Sequence, residues 1–262
     1  MMYLTINYNI NFAFVPITFS AYIILNYKIK CCFTRYPQNW TTFERILENG
    51  DKLTFVVEDI PESYWEDAVE FMLGNYIRED VWWTTAGTAK EPLAVEEYRV
   101  LLRNIVKQRM SLACFLVDGD RTLVGVNMCM PQERDRFVEH IPPKSTAGQL
   151  SLRMFSEAMK VTAIYEQYHV DKYLMGAGLS VLPEYRTLGI AVEMLKCRVS
   201  LAKELGFAVT GGIFTSASAQ RAAEKAAMDC VYQISYKEFG EQCEINFDTS
   251  TESLKFFAKK TD

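Results

Sequence analysis

The chain lacks the residue patterns of several large classes of protein. Its two histidines, His140 and His169, have no metal-binding neighbours in the sequence, and its seven cysteines do not have zinc-ligand spacing. The cysteine number is odd, and the cysteines are scattered through segments with helix and strand patterns, so they do not form a secreted disulfide framework. We therefore expect no metal site and a reducing, cytoplasmic location.

The chain also has no excess of positive charge. It carries 28 lysines and arginines against 33 aspartates and glutamates, for a net charge of −5, which disfavours nucleic acid as a partner. Hydrophobic residues at 49% and charged residues at 23% are ordinary for a globular protein. A length of 262 residues suits one well-cored domain better than two.

No apolar run in the sequence is as long as a membrane-spanning helix usually requires. The most apolar segment, residues 10–25, is shorter than the ~20 residues that a bilayer requires, and no basic start or cleavage site marks a signal peptide. Three interpretations stay open: a weak membrane anchor, an extension that docks on the domain, or a segment outside the folded protein. We favour the last two, and expect an N-terminal extension over residues 1–45 and one domain over 46–262.

From residue 53 the periodicity predicts a regular series of elements. Asp118-Gly119 between two apolar runs indicates a hairpin, and Pro131 to Gly148 is expected to be a loop. The predicted strands cover residues 53–57, 111–117, 122–130, 172–181, 207–214, 231–236 and 243–247, and the predicted helices cover 64–76, 95–108, 149–168, 190–205 and 217–228. This order of elements predicts an α+β fold around a mixed sheet.

The segment from Leu179 to Ala191 predicts a phosphate-binding turn. An apolar strand ends at Pro183, and small residues at Gly189 and Ala191 then open an amphipathic helix. The first amides of a helix lack carbonyl partners, and its dipole favours an anion there. Arg186 precedes the turn and is placed to reach a phosphate oxygen, although a turn arginine is commonly only solvated.

Strand, phosphate turn, helix and strand in this order resemble motif A of the GCN5-related N-acetyltransferases. Arg186, Gly189 and Ala191 match its RxxGxA turn. The resemblance implies acetyl-CoA as co-substrate, and a mixed sheet flanked by helices and splayed between its fourth and fifth strands. The cofactor-binding residues that it implies are Leu179, Ser180, Val181, Arg186, Thr187, Leu188, Gly189, Ile190, Ala191 and Ser216.

Other passages are similar to the insect arylalkylamine N-acetyltransferase branch, which uses a carboxylate after the first helix as general base. Here Asp80 falls at that position with Glu79 beside it, whereas the literal tripeptide at Glu91 lies further along the chain. A base is needed because a primary amine is an ammonium at neutral pH and must lose a proton before it attacks a thioester. The alternative is that Glu79 and Asp80 cap the next element or face solvent. We rank both above Glu91.

The resemblance also implies hydroxyl groups near the departing thiolate and a backbone donor for the acetyl oxygen. Thr215 matches the first hydroxyl position, Ala219 departs from the second, and Ser218 is the nearby substitute. Thr215, Ser216 and Ser218 also suit the N-cap of the following helix, and we favour that role for them. The backbone amides of Leu179 and Val181 are the expected oxyanion donors, although both residues also suit plain sheet core.

Aromatic residues near Asp80 indicate a site for a cationic amine. Trp82, Trp83 and Tyr64 are the candidates, since ring faces attract cations, although most aromatic residues are core. The resulting hypothesis is a soluble enzyme that transfers acetyl from acetyl-CoA to a small primary amine in a ternary complex, since no cysteine lies in the acidic loop or at the strand end. The alternatives are a CoA-binding member without efficient turnover, and an acyltransferase of agmatine or of a protein amine.

Overall fold

The computed structural model describes residues 36–134 and 142–262. They form an eight-stranded mixed sheet in the order β1-β2-β3-β4-β5-β6-β8-β7. The strands are β1 Asn39–Ile46, β2 Lys52–Asp59, β3 Leu112–Leu116, β4 Thr122–Glu133, β5 Lys172–Val181, β6 Val209–Phe214, β7 Asp229–Ser235 and β8 Ser253–Lys260. All neighbouring strands are antiparallel except β5 and β6, which are parallel, so the α+β mixed sheet is confirmed.

Nine α-helices in the described ranges surround this sheet. They are α1 Trp65–Phe71, α2 Ile77–Glu79, α3 Val81–Ala86, α4 Pro92–Val106, α5 Thr146–Val161, α6 Ile164–Tyr168, α7 Ile190–Glu204, α8 Ala217–Lys225 and α9 Tyr236–Cys243. A π-helical segment, Met72–Tyr76, joins α1 to α2. Short 3-10 turns cover Glu62–Tyr64, Thr88–Lys90 and Pro183–Tyr185.

The helices cover the two faces of the sheet. Helix α7 packs on one face through residues such as Met194 and Leu201, against β2, β3 and β4. Helices α1 and α4 pack on the other, where Met72 and Leu102 contact Phe115 and its neighbours. Burial of these apolar side chains, each worth ~1.5–3 kcal/mol, is the main stabilisation of the three layers.

Strand β1 corrects the domain boundary that the sequence predicts at residues 45 and 46. Residues 39–45 are paired with β2 over the whole hairpin, so they belong to the sheet. Trp40 donates its indole N–H to Asp59 at 2.8 Å, and Phe43 stacks on Phe55. No side chain of this edge strand is fully buried, and only about every second one is half-buried. Its apolar pattern is therefore too weak to be recognised in the sequence. The apolar run at residues 10–25, with Cys31 and Cys32, lies outside the described residues.

Three further elements differ from the sequence prediction. The long helix predicted over 149–168 begins earlier and breaks at Thr162 into α5 and α6, and β4 continues through Pro131 into the predicted loop. The strand predicted over 243–247 is wrong, because that stretch follows helix α9 and the last strand is β8. Ser235 and Glu238 form a capping box at the start of α9, a signature that was present in the sequence.

The splay of the sheet is confirmed. The predicted fourth and fifth strands are β5 and β6, since β1 adds one to the count. These two strands pair at only two positions, Leu174 with Thr210 and Met175 with Gly211. Beyond them β5 continues beside β4 and β6 continues beside β8, so a cleft opens between their carboxyl ends. No helix in the described residues is long and apolar enough to cross a membrane.

Candidate active site

The wall of the cleft formed by β5 contains a β-bulge. Asn127 lies opposite Leu179 and Cys129 opposite Gly176, so β5 carries one extra residue there. Gly178 has a φ of 134° at the bulge, and its carbonyl accepts a hydrogen bond from Asn127 Nδ2 at 2.9 Å. A Cβ at Gly178 would lie 2.8 Å from Cε of Met72 and 2.9 Å from a ring carbon of Tyr76. The bulge thus brings the π-helical segment against β5.

The predicted phosphate turn has the backbone geometry of an anion site. Thr187 and Gly189 have φ values of 66° and 77°, and Gly189 is the N-cap of α7 without a side-chain cap. The first amides of α7 therefore have no side chain competing for them, and the helix dipole adds partial positive charge. Apolar residues of the same helix, including Ile190, anchor it to the sheet. This arrangement fits the diphosphate of a nucleotide cofactor.

Two arginines flank the turn. Arg186 donates from Nε to the Val181 carbonyl at 3.0 Å and forms an exposed ion pair with Glu79. Arg45, on edge strand β1, donates from Nε to the Leu188 carbonyl at 2.7 Å, and its guanidinium lies where a Cβ at Gly189 would meet it at 3.3 Å. The neighbour of the turn is therefore a cation rather than a bulky apolar group. Arg45 was missed by the sequence prediction because it lay outside the predicted domain.

Asp80 and Thr215, 135 residues apart in sequence, are in direct contact. Asp80 is the N-cap of α3, where its Oδ1 accepts from the Trp82 amide at 3.0 Å. Its Oδ2 accepts from the hydroxyl of Thr215, which directly follows β6. Tyr236, the first residue of α9, donates its hydroxyl to the Thr215 carbonyl at 2.6 Å. Three elements therefore fix the carboxylate and the hydroxyl beside the open end of the cleft.

The surroundings of Asp80 raise its pKa towards neutrality. Burial raises the pKa of Asp80 to about 6, and the hydrogen bonds from Thr215 and the Trp82 amide limit that rise. The charge of Asp80 acts on the phenols of Tyr76, Tyr98 and Tyr236. Burial, and after it this charge, raises the pKa of the Tyr98 and Tyr236 phenols. A carboxylate with this pKa is ionised at neutral pH and still accepts a proton readily.

Aromatic side chains form one side of the Asp80 site. Trp83 packs on Tyr98 with ring centroids 4.2 Å apart and on Tyr76 at 6.5 Å. Tyr98 is buried, and its hydroxyl has no hydrogen-bond partner within the described residues. Trp82 points to the opposite side and packs on Phe239. Of the predicted substrate residues, Trp83 is therefore the one grouped with the phenols around Asp80.

The other predicted site residues have structural partners. Ser216 caps α8 by accepting from the Ala219 amide at 3.3 Å, and Ser218 is exposed with its hydroxyl 3.1 Å from that of Ser216. Tyr64 packs edge-on against Phe115. Glu91 accepts from the amides of Thr146 and Ala147, at 3.0 and 2.9 Å, and so holds the start of α5. The described residues contain no group of three His, Cys, Asp or Glu side chains able to hold a metal ion.

Sequence reasoning missed the three tyrosines around Asp80. Tyr76 lies at the end of a predicted helix and was assigned to its apolar face, as was Tyr98 on the next helix. Tyr236 was placed in a strand instead of at the start of α9. Only the capping-box pattern at Ser235 would have corrected that placement.

Comparison with known proteins agrees with this geometry. No family model and no curated protein sequence matches the chain. Among solved structures, a protein assigned as arylalkylamine N-acetyltransferase 7 of the yellow fever mosquito Aedes aegypti is 28% identical with a TM-score of 0.80, covering 87% of this chain and 97% of that one. Mosquito arylalkylamine N-acetyltransferase-like 5b is 19% identical with a TM-score of 0.69, covering 79% and 99%.

A third match shows the same fold at lower identity. The polyamine N-acetyltransferase of Drosophila melanogaster, which forms N-acetylagmatine, is 18% identical with a TM-score of 0.63, covering 79% of this chain and 99% of that one. The splayed sheet, the turn before α7 and the match to the mosquito protein agree with one another. The chain therefore has the fold of the GCN5-related N-acetyltransferases and is similar to the insect arylalkylamine N-acetyltransferases.

Proposed function

We propose that the protein transfers the acetyl group of acetyl-CoA to a small primary amine, by direct attack in a ternary complex. The observation that carries the proposal is the contact of Asp80 with Thr215 beside the cleft between β5 and β6. Asp80, with a pKa of about 6, would then serve as a base at the end of a site shaped for a nucleotide-linked thioester. Asp80 and Thr215 are 135 positions apart in the sequence, so tertiary folding and not local chain geometry brings them together.

The turn before α7 would hold the diphosphate of the co-substrate. Backbone amides of Gly189, Ile190 and Ala191 provide the donors, and Arg45 and Arg186 provide positive charge at either side. Arg186 is paired with Glu79 in the described structure, and an exposed pair of this kind contributes only ~0–1 kcal/mol, so it exchanges readily for a phosphate. Glu79 is therefore assigned as the partner of Arg186 and not as the base.

The edge of β5 that faces the cleft would hold the acyl group. Beyond Met175 that edge has no strand partner among the described residues, so its N–H groups are available to donate to a carbonyl oxygen. The amides near Leu179 and Val181 follow the bulge and are our candidates for the oxyanion donors, each worth ~3 kcal/mol when preset for the transition state. Coenzyme A binding, with its adenine end at the turn, directs the thioester towards Asp80.

Asp80 would act as the general base. It takes a proton from the ammonium of the bound amine, directly or through a water, and the free amine then forms a bond from nitrogen to the acetyl carbon. The carbon–sulfur bond breaks, the sulfur leaves with the electron pair, and the second proton from nitrogen neutralises the thiolate or passes to solvent. A thiolate with a pKa near 8.5 is a good leaving group, so no dedicated acid is required. Thr215 holds the Asp80 carboxylate in place and lowers its pKa.

The aromatic side of the site favours a cationic amine with an apolar body. Trp83, Tyr76 and Tyr98 present ring surface near a carboxylate, a combination that attracts an ammonium and buries carbon. Two of the similar solved structures are named as arylalkylamine and polyamine N-acetyltransferases, which are names that refer to amine acceptors. A protein amine would need an open groove instead.

Calorimetric titration followed by a thiol-release assay tests the proposal. We expect the protein to bind acetyl-CoA and to release thiol only when an amine is added, with phenethylamine-type amines compared against agmatine and a lysine peptide. Binding without release for any amine would identify a ligand-binding member without turnover. No binding of acetyl-CoA would reject the proposal altogether.

A further inference from the structure

A buried arginine lies at the base of the cleft. Arg198 is on α7 and is only 2% exposed. Its Nη2 is 3.8 Å from Sδ of Met228, and its guanidinium carbon lies 6.0 Å from the ring centre of Phe214. A Cβ at Gly176 would collide with Nη1, so the guanidinium occupies the space that a side chain on β5 would take.

This arginine has no counter-charge among the described residues. Its Nε has no hydrogen-bond partner, and it forms no ion pair within residues 36–134 and 142–262. The ionisable group that it faces is Cys129, and burial raises the pKa of that thiol to about 12, so the thiol is neutral. Leaving a cation buried and unpaired is costly, and proteins retain such groups where something else completes them.

The position of Arg198 identifies what completes it. Gly176 is the first residue of β5 beyond the last pair with β6, where the cleft begins. On the facing strand, a Cβ at Gly212 would lie 3.2 Å from the Gly176 carbonyl. Both strands therefore carry glycine at the base of the cleft, which accounts for Gly212, whereas a Cβ at Gly211 would meet Phe256 and the Phe257 carbonyl instead. Arg198 supplies a positive charge beside Gly176, at the base of the cleft.

The ligand group at this level is not a phosphate. Arg198 is eight residues from the start of α7, or about 12 Å along the helix axis at 1.5 Å per residue. The diphosphate belongs at the helix start, so what passes at the level of Arg198 is the pantetheine arm. That arm is uncharged and carries two amide carbonyls, which are acceptors for an arginine.

We propose that Arg198 donates a hydrogen bond to an amide carbonyl of the pantetheine arm, and so makes the base of the cleft selective for a CoA thioester over its nucleotide portion alone. The inference rests on the proposed function, because it assumes that the arm enters between β5 and β6. It assigns a binding role to a residue that lies outside the turn motif. The empty hydrogen-bonding capacity of the guanidinium is then filled by the ligand.

Calorimetry with two ligands tests the assignment. Coenzyme A carries the arm, whereas adenosine 3′,5′-bisphosphate carries only the nucleotide end. Replacing Arg198 with methionine keeps an unbranched apolar stem and removes the guanidinium donors. Since a hydrogen bond to a charged group is lost, we expect the Kd for coenzyme A to rise about tenfold in Arg198→Met while the Kd for the bisphosphate changes less than twofold. Equal changes in both constants, or no change in either, would overturn the proposal.

Melting temperatures separate a binding role from a structural one. Because Arg198→Met removes an unpaired buried charge, we expect the ligand-free variant to melt at or above the wild-type temperature, and to gain less from coenzyme A than wild type does. A lower ligand-free melting temperature with unchanged affinity for coenzyme A would show that the arginine only supports the fold. Arg198→Lys, which keeps the charge but shortens the reach, is the second variant and is expected to give an intermediate Kd. If wild type itself binds neither ligand, the proposed function fails rather than this assignment.

Discussion

The two halves of the site are built in different ways. The turn half lies within one continuous stretch, from β5 through Gly189 into α7, and its chemistry comes from backbone amides. The amine half is assembled from three distant segments, with Asp80, Thr215 and Tyr236 joined by side-chain hydrogen bonds. The first half depends on local conformation and the second on tertiary packing, so substitutions in each should affect different measurements.

Asp80→Asn should produce the largest effect and should leave the turn half untouched. Asparagine keeps the N-cap and the contact with Thr215 but cannot take a proton, so we expect kcat/KM to fall ~10²- to 10⁴-fold while the Kd for coenzyme A stays within twofold. Glu79→Gln is the comparison variant next in the chain, and we expect it to lose less than fivefold. A greater loss in Glu79→Gln than in Asp80→Asn would move the base to Glu79.

The same substitution, Asp80→Asn, should make the folded protein more stable at neutral pH although it lowers activity. The folded-state pKa of Asp80, about 6, is above its unfolded value, so the folded protein favours the protonated acid. The stability that Asp80 contributes is therefore full below about pH 4 and is lost as the pH rises through 6. At pH 7.5 we expect Asp80→Asn to be more stable than wild type by about 2 kcal/mol, seen as a higher melting temperature. A lower melting temperature at that pH would contradict the raised pKa.

Gly189→Val should break the turn half alone. The position needs a φ of 77°, and a branched side chain would also cover the first amides of α7, so we expect the Kd for coenzyme A to rise about tenfold or more. Gly206 gives a matched control, because it has a φ of 75° at the other end of the same helix and open space around it. Gly189→Val and Gly206→Val should each lose about 1–2 kcal/mol of stability, and only Gly189→Val should lose affinity for coenzyme A.

Thr215→Val should move the pH profile and not the cofactor affinity. The Thr215 hydroxyl lowers the pKa of Asp80, so without it the acidic limb of kcat/KM should shift to higher pH by about one unit. The limb itself falls as the pH drops through 6, since Asp80 works when ionised. Thr215→Ser keeps the donor and should retain the wild-type limb. An unshifted limb in Thr215→Val would show that another group controls it.

Arg45→Ala should give the smallest effect and tests whether the edge strand belongs to the turn half. Loss of the hydrogen bond to the Leu188 carbonyl and of one nearby positive charge should raise the Kd for coenzyme A about threefold. Lys52→Ala, which removes the exposed partner of Glu44 on the same hairpin, should leave that Kd unchanged. Equal effects of the two variants would show that only general surface charge matters.

The sequence was sufficient for the turn half because its signals are local. The strand, the proline stop, Gly189 and the helical period all fall within one window, and the structure contains the turn and α7 that they predict. The splay between β5 and β6 was implied by the family resemblance. The amine half was predictable only residue by residue. Asp80 was identified as a carboxylate after the first helix, but nothing in the chain near residue 80 reports that Thr215 lies against it.

The errors have the same physical origin. Edge strand β1 buries little, so its apolar period is weak. Tyr236, the first residue of α9, was assigned to a strand because Val231 to Tyr236 is rich in residues that favour strands. Arg198 was counted as one more position on α7, since helical spacing does not report what lies opposite a side chain. Each of these cases is decided by the burial of the residue and by its tertiary neighbours, which the local sequence pattern does not report.

The π-helical segment at Met72–Tyr76 sets the rotation about the helix axis between α1 and the Asp80 carboxylate. It holds one residue more per turn than the regular helix on its amino side, and each residue turns the chain by about 100°. Deleting a single residue there would leave the α1 core contacts in register while rotating Asp80 away from Thr215. A change in chain length of one position, with no polar group lost, would thus be enough to disconnect the two halves of the site.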